Sequence, residues 1–425
     1  MRPVWSVNLN PARLCPERDP ARLAARQAQA FALLEDLGVD GVRVDLDWGW
    51  LEPAPGRSDL QAWRWYEAFL AEAARRGLAV YGLLYQPPPW ACSLWREAPG
   101  AFLAAWEAWV RRVGAAWPDG LAVVQAWNEP NNYVAALKGD ATLFHVRRVG
   151  DWEVPVGVPW EALAALFHAA RAAFPRTVPI AVNPLANLLP PWPSAGCWLD
   201  WLPFTERLLR EAGDAIDIVA LDHYPDTWHP GTGPLEWSCL EEAAERLATP
   251  GSPWRGKALA VGELGYASAP AGLRLGPWRW FPATPRGEDT MAAWYAAALP
   301  HVAGLLAGRP APCTAPWINV YELFDAPRPF GGTGLLAIED HFGLVRRDGT
   351  VKPAYAVLRA LVRGEPVAAP PLVRVPAPRY WRWGGWLRGL LAPERPRSRE
   401  TWVLAGSAGA PLLGPDSLMP KFSQS

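Results

Sequence analysis

The sequence predicts an α/β protein in which eight parallel strands, each followed by a helix, close into a (β/α)8 barrel. Three observations predict it. Short apolar, β-rich runs recur eight times, alanine-rich amphipathic stretches fall between them, and polar or aromatic side chains gather where the runs end. Strict strand–helix alternation demands parallel strands with the helices outside. Eight repeats suit a closed barrel better than a doubly wound sheet, and no Gly-x-Gly-x-x-Gly follows the first run to favour a dinucleotide fold.

Taken in order, the strands are expected at Val4–Val7, Gly41–Leu46, Ala79–Leu84, Leu121–Ala126, Val178–Val182, Ile216–Leu221, Ala258–Gly262 and Trp317–Tyr321. Each is a short apolar run of the kind a strand buried on both faces requires. The helices are expected at Pro20–Leu37, Leu60–Arg76, Ala101–Ala116, Trp160–Phe174, Leu199–Ala212, Leu240–Ala248, Asp289–Ala307 and Lys352–Val362. In the first, Phe31, Leu34 and Leu37 mark one apolar face, and Gly38 is placed to cap the C-terminus. Leu37-Gly-Val39 and Arg76-Gly-Leu78 repeat the same passage from helix through glycine to strand.

The chain has 425 residues, of which 50% are hydrophobic and 20% charged, enough to build one large core. A net charge of −1 supplies no field to draw nucleic acid or anionic lipid, so neither partner is expected. No run approaches the length of a membrane span. Five cysteines, Cys15, Cys92, Cys197, Cys239 and Cys313, are scattered without a Cys-x-x-Cys pair, against both a disulfide framework and a structural zinc site. The opening Met-Arg-Pro-Val-Trp-Ser-Val is already strand-like, and a cytoplasmic location is the expectation. The 27 tryptophans exceed ordinary usage. Most are assigned to core filling, and a few near strand ends to stacking on sugar faces.

Residues 1–363 are read as the barrel and 364–425 as a C-terminal extension rich in Pro, Trp and Arg. Prolines 366, 370, 371, 376 and 378 precede an Arg379–Arg388 segment of alternating Arg and Trp. That segment is expected to pack back onto the barrel wall, with a membrane or glycan contact as the weaker alternative. The end of the chain has little patterned apolar content and is expected to be partly disordered.

A parallel barrel puts its active site at the C-terminal ends of the strands. The side chains expected there are Asn8 and Asn10, then Arg43, Asp45, Asp47 and Trp48, then Tyr85 and Gln86. Asn128 and Glu129, Asn183, His223 and Tyr224, Glu263, and Tyr321, Glu322 and Asp325 complete the ring. Such a set suits a carbohydrate, which needs directional hydrogen bonds and a few stacking faces. Glu129 and Glu263 carry the chemistry in this reading, as paired carboxylates acting on a glycosidic bond. One must hold a proton and the other a charge, and their separation decides between retention and inversion. Spacing along the chain does not supply that separation.

Trp127-Asn-Glu-Pro130 and Gly262-Glu-Leu-Gly265 resemble the two signatures of a clan of TIM-barrel retaining glycoside hydrolases, clan A, nearest in flavour to families five and thirty-nine. Gly41–Trp48, with the later Glu52-Pro53, is similar to that clan's second strand, and Tyr321–Asp325 and His341–Tyr355 to its end. The resemblance implies a retaining β-glycosidase acting by double displacement on an oligosaccharide or other glycoside, with no cofactor. It implies Glu129 as acid/base, Glu263 as nucleophile and Asn128 at the sugar 2-hydroxyl. Arg43 and Tyr224 would keep Glu263 ionised, and His223 would line the sugar site. From their places at strand ends, Asn183, Trp48 and Tyr321 are expected to bind substrate as well. One departure is visible: Trp317 begins the eighth strand, where many members carry a tryptophan at its end. Long connections at Pro130–Pro159, Pro184–Trp198 and Tyr266–Gly287 are expected to wall the cleft into a pocket for exo action on short substrates.

Two other functions compete. A catalytically silent glycan-binding barrel would normally lack one carboxylate, and both are present. A metal-dependent barrel hydrolase would need ligand spacing that the six histidines never show as His-x-His or His-Glu-x-x-His.

Overall fold

The computed structural model describes residues 2–132, 143–149, 152–186, 200–225, 235–269, 274–275, 278–279, 287–307, 316–327, 335–368, 372–376 and 400–404. Eight parallel strands close a barrel: β1 (Val4–Leu9), β2 (Gly41–Asp47), β3 (Ala79–Tyr85), β4 (Val123–Ala126), β5 (Ile180–Val182), β6 (Ile218–Asp222), β7 (Ala258–Leu264) and β8 (Trp317–Val320). Neighbours in sequence are neighbours in the sheet, and β8 returns to pair with β1. Every expected strand is found, with β4, β5 and β6 each starting two residues later than their apolar runs do.

The longer helices, of ten residues or more, are α1 (Pro20–Leu37), α2 (Leu60–Arg75), α3 (Pro99–Ala116), α4 (Trp160–Ala173), α5 (Trp201–Ala212), α6 (Ser238–Ala248), α7 (Glu288–Ala307) and α8 (Pro353–Val362). Local chemistry sets their limits. Asp19 caps α1 by accepting from the Arg22 N–H, Pro20 opens its first turn, and Gly38 ends it at φ 73°. Asp59 and Asp200 cap α2 and α5 in the same way. By length and composition α7 is apolar enough to cross a membrane, yet half of that stretch is buried inside the protein.

The chain divides into two compact units. The first comprises Met1–His223, Ser238–Leu264 and Ala303–Leu323 and holds all eight barrel strands. The second comprises Tyr224–Trp237, Gly265–Val302 and Phe324–Ser425. Within it, buried Lys352 donates from Nζ to Asp325 Oδ1 (2.7 Å) and Ser268 Oγ (3.0 Å). Asp325 Oδ1 also accepts the Gly343 N–H at 2.9 Å, so this carboxylate fastens loops together inside the second unit. Residues Leu372–Pro376 and Glu400–Leu404 form an antiparallel pair, while Arg379–Arg388 lies outside the described residues. The connection after β4 is not simply a loop: His145–Val149 and Trp152–Gly157 pair as a hairpin.

Side chains alternate along each strand, so every second residue enters the barrel. Tyr81, Val123, Ala181, Ile218, Ala220, Ala258, Ala260 and Trp317 form one apolar cluster. Trp317 and Tyr81 meet edge to face at 5.5 Å, and Gly41 leaves the space its indole needs, since a Cβ there would come within 2.8 Å of the ring. The tryptophan at the start of β8 therefore fills the core. Beyond this plug the interior turns polar.

Candidate active site

Arg43 is the centre of that polar layer. It is third in β2, fully buried, and surrounded by acceptors. Its Nη1 pairs with Glu263 Oε1 at 2.7 Å and donates to Asn8 Oδ1 at 2.9 Å. Nε and Nη2 reach Gln125 Oε1 at 3.3 and 3.2 Å, and Nη2 also reaches Asn128 Oδ1 at 3.2 Å. Burial opposes its charge, but the carboxylates of Glu263, Asp222 and Asp45 more than offset this, and its pKa rises above the ordinary arginine value.

Glu263 points inward because β7 is irregular. Leu221 pairs with Val261 but Asp222 pairs with Glu263, so one extra residue is accommodated on β7. The same irregularity recurs against β8, where Ile318 pairs with Val261 and Val320 with Leu264. Simple alternation from Ala258 and Ala260 would turn Gly262 inward and Glu263 outward; the bulge reverses this for Glu263. Gly262 is required for a separate reason. A Cβ on it would lie 2.3 Å from Asp222 Oδ1, so the space a side chain would take is occupied by a carboxyl group.

Glu129 is held differently. It follows β4 in a turn where Trp127 and Glu129 have φ of 67° and 40°, a left-handed region unfavourable for residues with a Cβ. Asn183, just past β5, steadies that turn: its Oδ1 accepts the Glu129 N–H at 3.0 Å. Its Nδ2 donates to Asn128 Oδ1 at 2.9 Å and to Asp222 Oδ2 at 2.6 Å. Asn132 Nδ2 donates to Glu129 Oε2 at 2.6 Å. Asn128 and Glu129 are half-buried, whereas Arg43, Asn183, Asp222 and Glu263 are buried.

One oxygen from each of Glu129, Asp222 and Glu263 lies within 4.8 Å of the other two. A set of three carboxylates this close could also hold a cation; the nearby positive charge here is Arg43. Burial, then the charges of Glu263 and Glu129, push the Asp222 carboxyl well above its usual range, against the pull of Arg43 and the Asn183 hydrogen bond. Asp222 was not among the expected site residues, and neither was Gln125. The signal for Asp222 was the alternation of Ile218, Ala220 and Asp222, which continues the inward face of β6 to its last residue.

A second polar group lies at the ends of β1, β2 and β8. Arg13 pairs with Glu322 and donates to the Tyr321 hydroxyl at 2.8 Å, and Asn10 Nδ2 donates to Asp45 Oδ2 at 2.9 Å. Burial outweighs the attraction of Arg43, and with the repulsion of Glu263 and Asp47 the Asp45 carboxyl is pushed up to about 7. Buried His223 gives its backbone N–H to the Glu263 carbonyl at 3.0 Å. Tyr224 is buried in the second unit with its ring edge on Phe342, centroids 5.5 Å apart.

Trp48 corrects an expectation. It is fully buried, stacked on Trp109 at 5.1 Å and edged by Trp90 and Trp106, and its Nε1 donates to Glu52 at 3.1 Å. The cause is local: Arg43, Asp45 and Asp47 take the inward positions of β2, so Trp48, one residue further on, falls with Val42, Val44 and Leu46 on the face turned to the helices, where Asp47 caps a helical turn by accepting the Trp50 N–H. It has no surface to offer a sugar.

No protein-family model matches the chain, and neither does any curated protein sequence. Its fold is shared with solved structures. The exo-beta-1,4-mannosidase Op5Man5 from Opitutaceae bacterium strain TAV5 is 18% identical over 86% of this chain, with a TM-score of 0.56; the match spans 59% of the mannosidase. The GH1 beta-glucosidase from Exiguobacterium antarcticum B7 is 13% identical, covering 87% of this chain and 100% of its own, with a TM-score of 0.59. The beta-glucosidase from Thermotoga maritima in complex with glucoimidazole is 13% identical, covering 86% and 98%, also at 0.59. At these identities the likeness is one of fold, a (β/α)8 barrel.

Proposed function

We propose that this protein is a retaining β-glycoside hydrolase in which Glu129 is the general acid/base and Glu263 the nucleophile. The observation that carries the reading is the approach of these carboxylates, from the fourth and seventh strands, to within 4.8 Å. Retaining enzymes hold such a pair at roughly 5 Å, whereas inverting ones need about 6.5–9.5 Å to admit a water between them. The fold shared with named β-glucosidases and a β-mannosidase supports the same reaction class.

The surroundings fit the two roles. Glu263 is buried and ion-paired with Arg43 at 2.7 Å, which fixes the carboxylate where a nucleophile must stand. Attack on the anomeric carbon would form a glycosyl ester while Glu129, on the half-buried turn, passes its proton to the leaving oxygen. Glu129 would then take a proton from the water that cleaves the ester. Asn128 turns Oδ1 towards Arg43, Gln125 and Asn183, which leaves its Nδ2 as the group to donate to the sugar 2-hydroxyl. Arg13, Tyr321 and Glu322 are the next candidates for hydroxyl recognition. The connections expected to wall the cleft for exo action, 130–159, 184–198 and 266–287, lie in large part outside the described residues.

The test is a panel of aryl β-glycosides spanning gluco, manno, galacto and xylo configurations, assayed with and without chelator. Turnover should survive the chelator, and proton NMR should show the β-anomer as first product. Glu263→Ala should lose hydrolysis by at least about 10⁴-fold and, with azide, yield the α-glycosyl azide. An α-anomer as first product would exclude retention, and recovery of the β-azide would remove Glu263 from the nucleophile's role. Binding of sugars without turnover by the unaltered protein would favour a silent lectin-like barrel.

A further inference from the structure

Asp222 has no part in the two-glutamate scheme, yet it sits inside it. It is the last residue of β6, fully buried, and contributes the third oxygen of the group within 4.8 Å. Its Oδ1 has no hydrogen-bond partner and no exposed surface, and it occupies the space left by Gly262. Its Oδ2 makes one strong contact, accepting from Asn183 Nδ2 at 2.6 Å.

That contact decides which way the Asn183 amide faces. An amide can present either an oxygen or an NH2 in each direction. With Nδ2 committed to Asp222 Oδ2 and Asn128 Oδ1, Asn183 must present Oδ1 to the Glu129 N–H. The reverse orientation would set two donors against each other at Glu129 and two acceptors against each other at Asn128. The Glu129 turn is the part of the site most in need of such a hold, because its backbone is left-handed at two non-glycine residues.

We propose that Asp222 is a positioning residue for the acid/base turn, acting through Asn183 to hold the Glu129 backbone and the Asn128 amide. This rests on the assignment of Glu129 as acid/base. It needs only an acceptor at Oδ2, so a neutral side chain of the same shape serves as well. The upward push on the Asp222 carboxyl agrees with that requirement.

The test compares kcat/KM for an aryl glycoside with a good leaving group against one with a poor leaving group. Asp222→Ala should lose about 100-fold on the poor leaving group, the scale expected of a misplaced proton donor, and less than about tenfold on the good one. Asp222→Asn should stay within about threefold of the unaltered protein on both, since its amide oxygen can accept from Asn183. In an Asn183→Ala background, Asp222→Ala should cost nothing further. Should Asp222→Ala not fold, Asp222→Ser, whose shorter side chain withdraws from Asn183, provides the same comparison.

Equal loss on both substrates, an Asp222→Asn as defective as Asp222→Ala, or additivity with Asn183→Ala would each overturn the proposal. Glu129→Ala separates this from failure of the underlying reading. If it does not itself discriminate between leaving groups, the acid/base assignment is wrong; if it does and Asp222→Ala does not, only the positioning role falls.

Discussion

The end of β7 and the turn after β4 carry the two glutamates by different means. Glu263 lies on a strand with neighbours on both sides, buried, its carboxylate paired with the buried guanidinium of Arg43. Glu129 lies off its strand, half-buried in a left-handed turn, its N–H held by the Asn183 side chain just past β5 and its carbonyl by the Asn132 N–H. The difference matches what the proposed roles demand. A nucleophile needs a fixed charge and gains from a rigid, paired site; a group that gives a proton and later takes one back needs contact with water and some freedom. Damage to the first region should therefore appear in charge and stability together, and damage to the second mainly in proton transfer.

The largest effect is expected at the first region. Arg43→Ala removes the partner of a buried carboxylate and the donor to Asn8, Gln125 and Asn128, so stability should fall by about 3–5 kcal/mol. Urea unfolding measures this, and activity should fall with every leaving group alike. A loss below about 1 kcal/mol, the scale of an exposed pair, would mean that Glu263 does not depend on Arg43. Gly262→Ala comes next. Its methyl group would meet Asp222 Oδ1 at 2.3 Å, and overpacking of this kind costs about 1–3 kcal/mol. Because the displaced carboxyl holds Asn183, this variant should carry the defect across to the Glu129 turn, with poor leaving groups suffering more. A uniform loss would show that the two regions are not coupled through Asp222.

The contrast also explains what the sequence disclosed. The barrel was legible because buried parallel strands are bare apolar runs, and α1 because Phe31, Leu34 and Leu37 mark its apolar face and Gly38 its end. The members of the polar ring were legible as strand ends, but their directions were not. Glu263 faces inward only through a bulge, and a bulge is a property of three strands in register rather than of Val-Gly-Glu alone. Asp222 is hidden because the apolar run of β6 stops at Leu221, one residue before the strand's inward face finishes. Trp48 misled for a different reason: a place at a strand's end does not give a side chain's direction, and one residue past inward Asp47 it falls on the face turned to the helices. The hairpin after β4 was hidden by Pro155 and an irregular register.

The smallest effect should come from Asp45, which lies between the two polar groups and sharpens the comparison through pH. Its folded pKa of about 7 stands above the ordinary 3.8, chiefly because burial disfavours the charge and Glu263 adds repulsion, while Arg43 pulls the other way. The folded protein thus holds this proton more tightly than the unfolded chain. The stability so gained is fully present below about pH 4 and is lost as pH rises through about 7. A shift from 3.8 to about 7 has a ceiling near 4 kcal/mol, which relaxation around the ionised group should cut to on the order of 1–2 kcal/mol. Asp45→Asn cannot ionise and escapes the loss. Its stability relative to the unaltered protein should therefore be greater at pH 8 than at pH 4.5, as read from urea midpoints at both. A difference that does not change with pH would mean that the Asp45 carboxyl titrates alike in the folded and unfolded chains, and that the negative charge at the end of β7 is not felt at the end of β2.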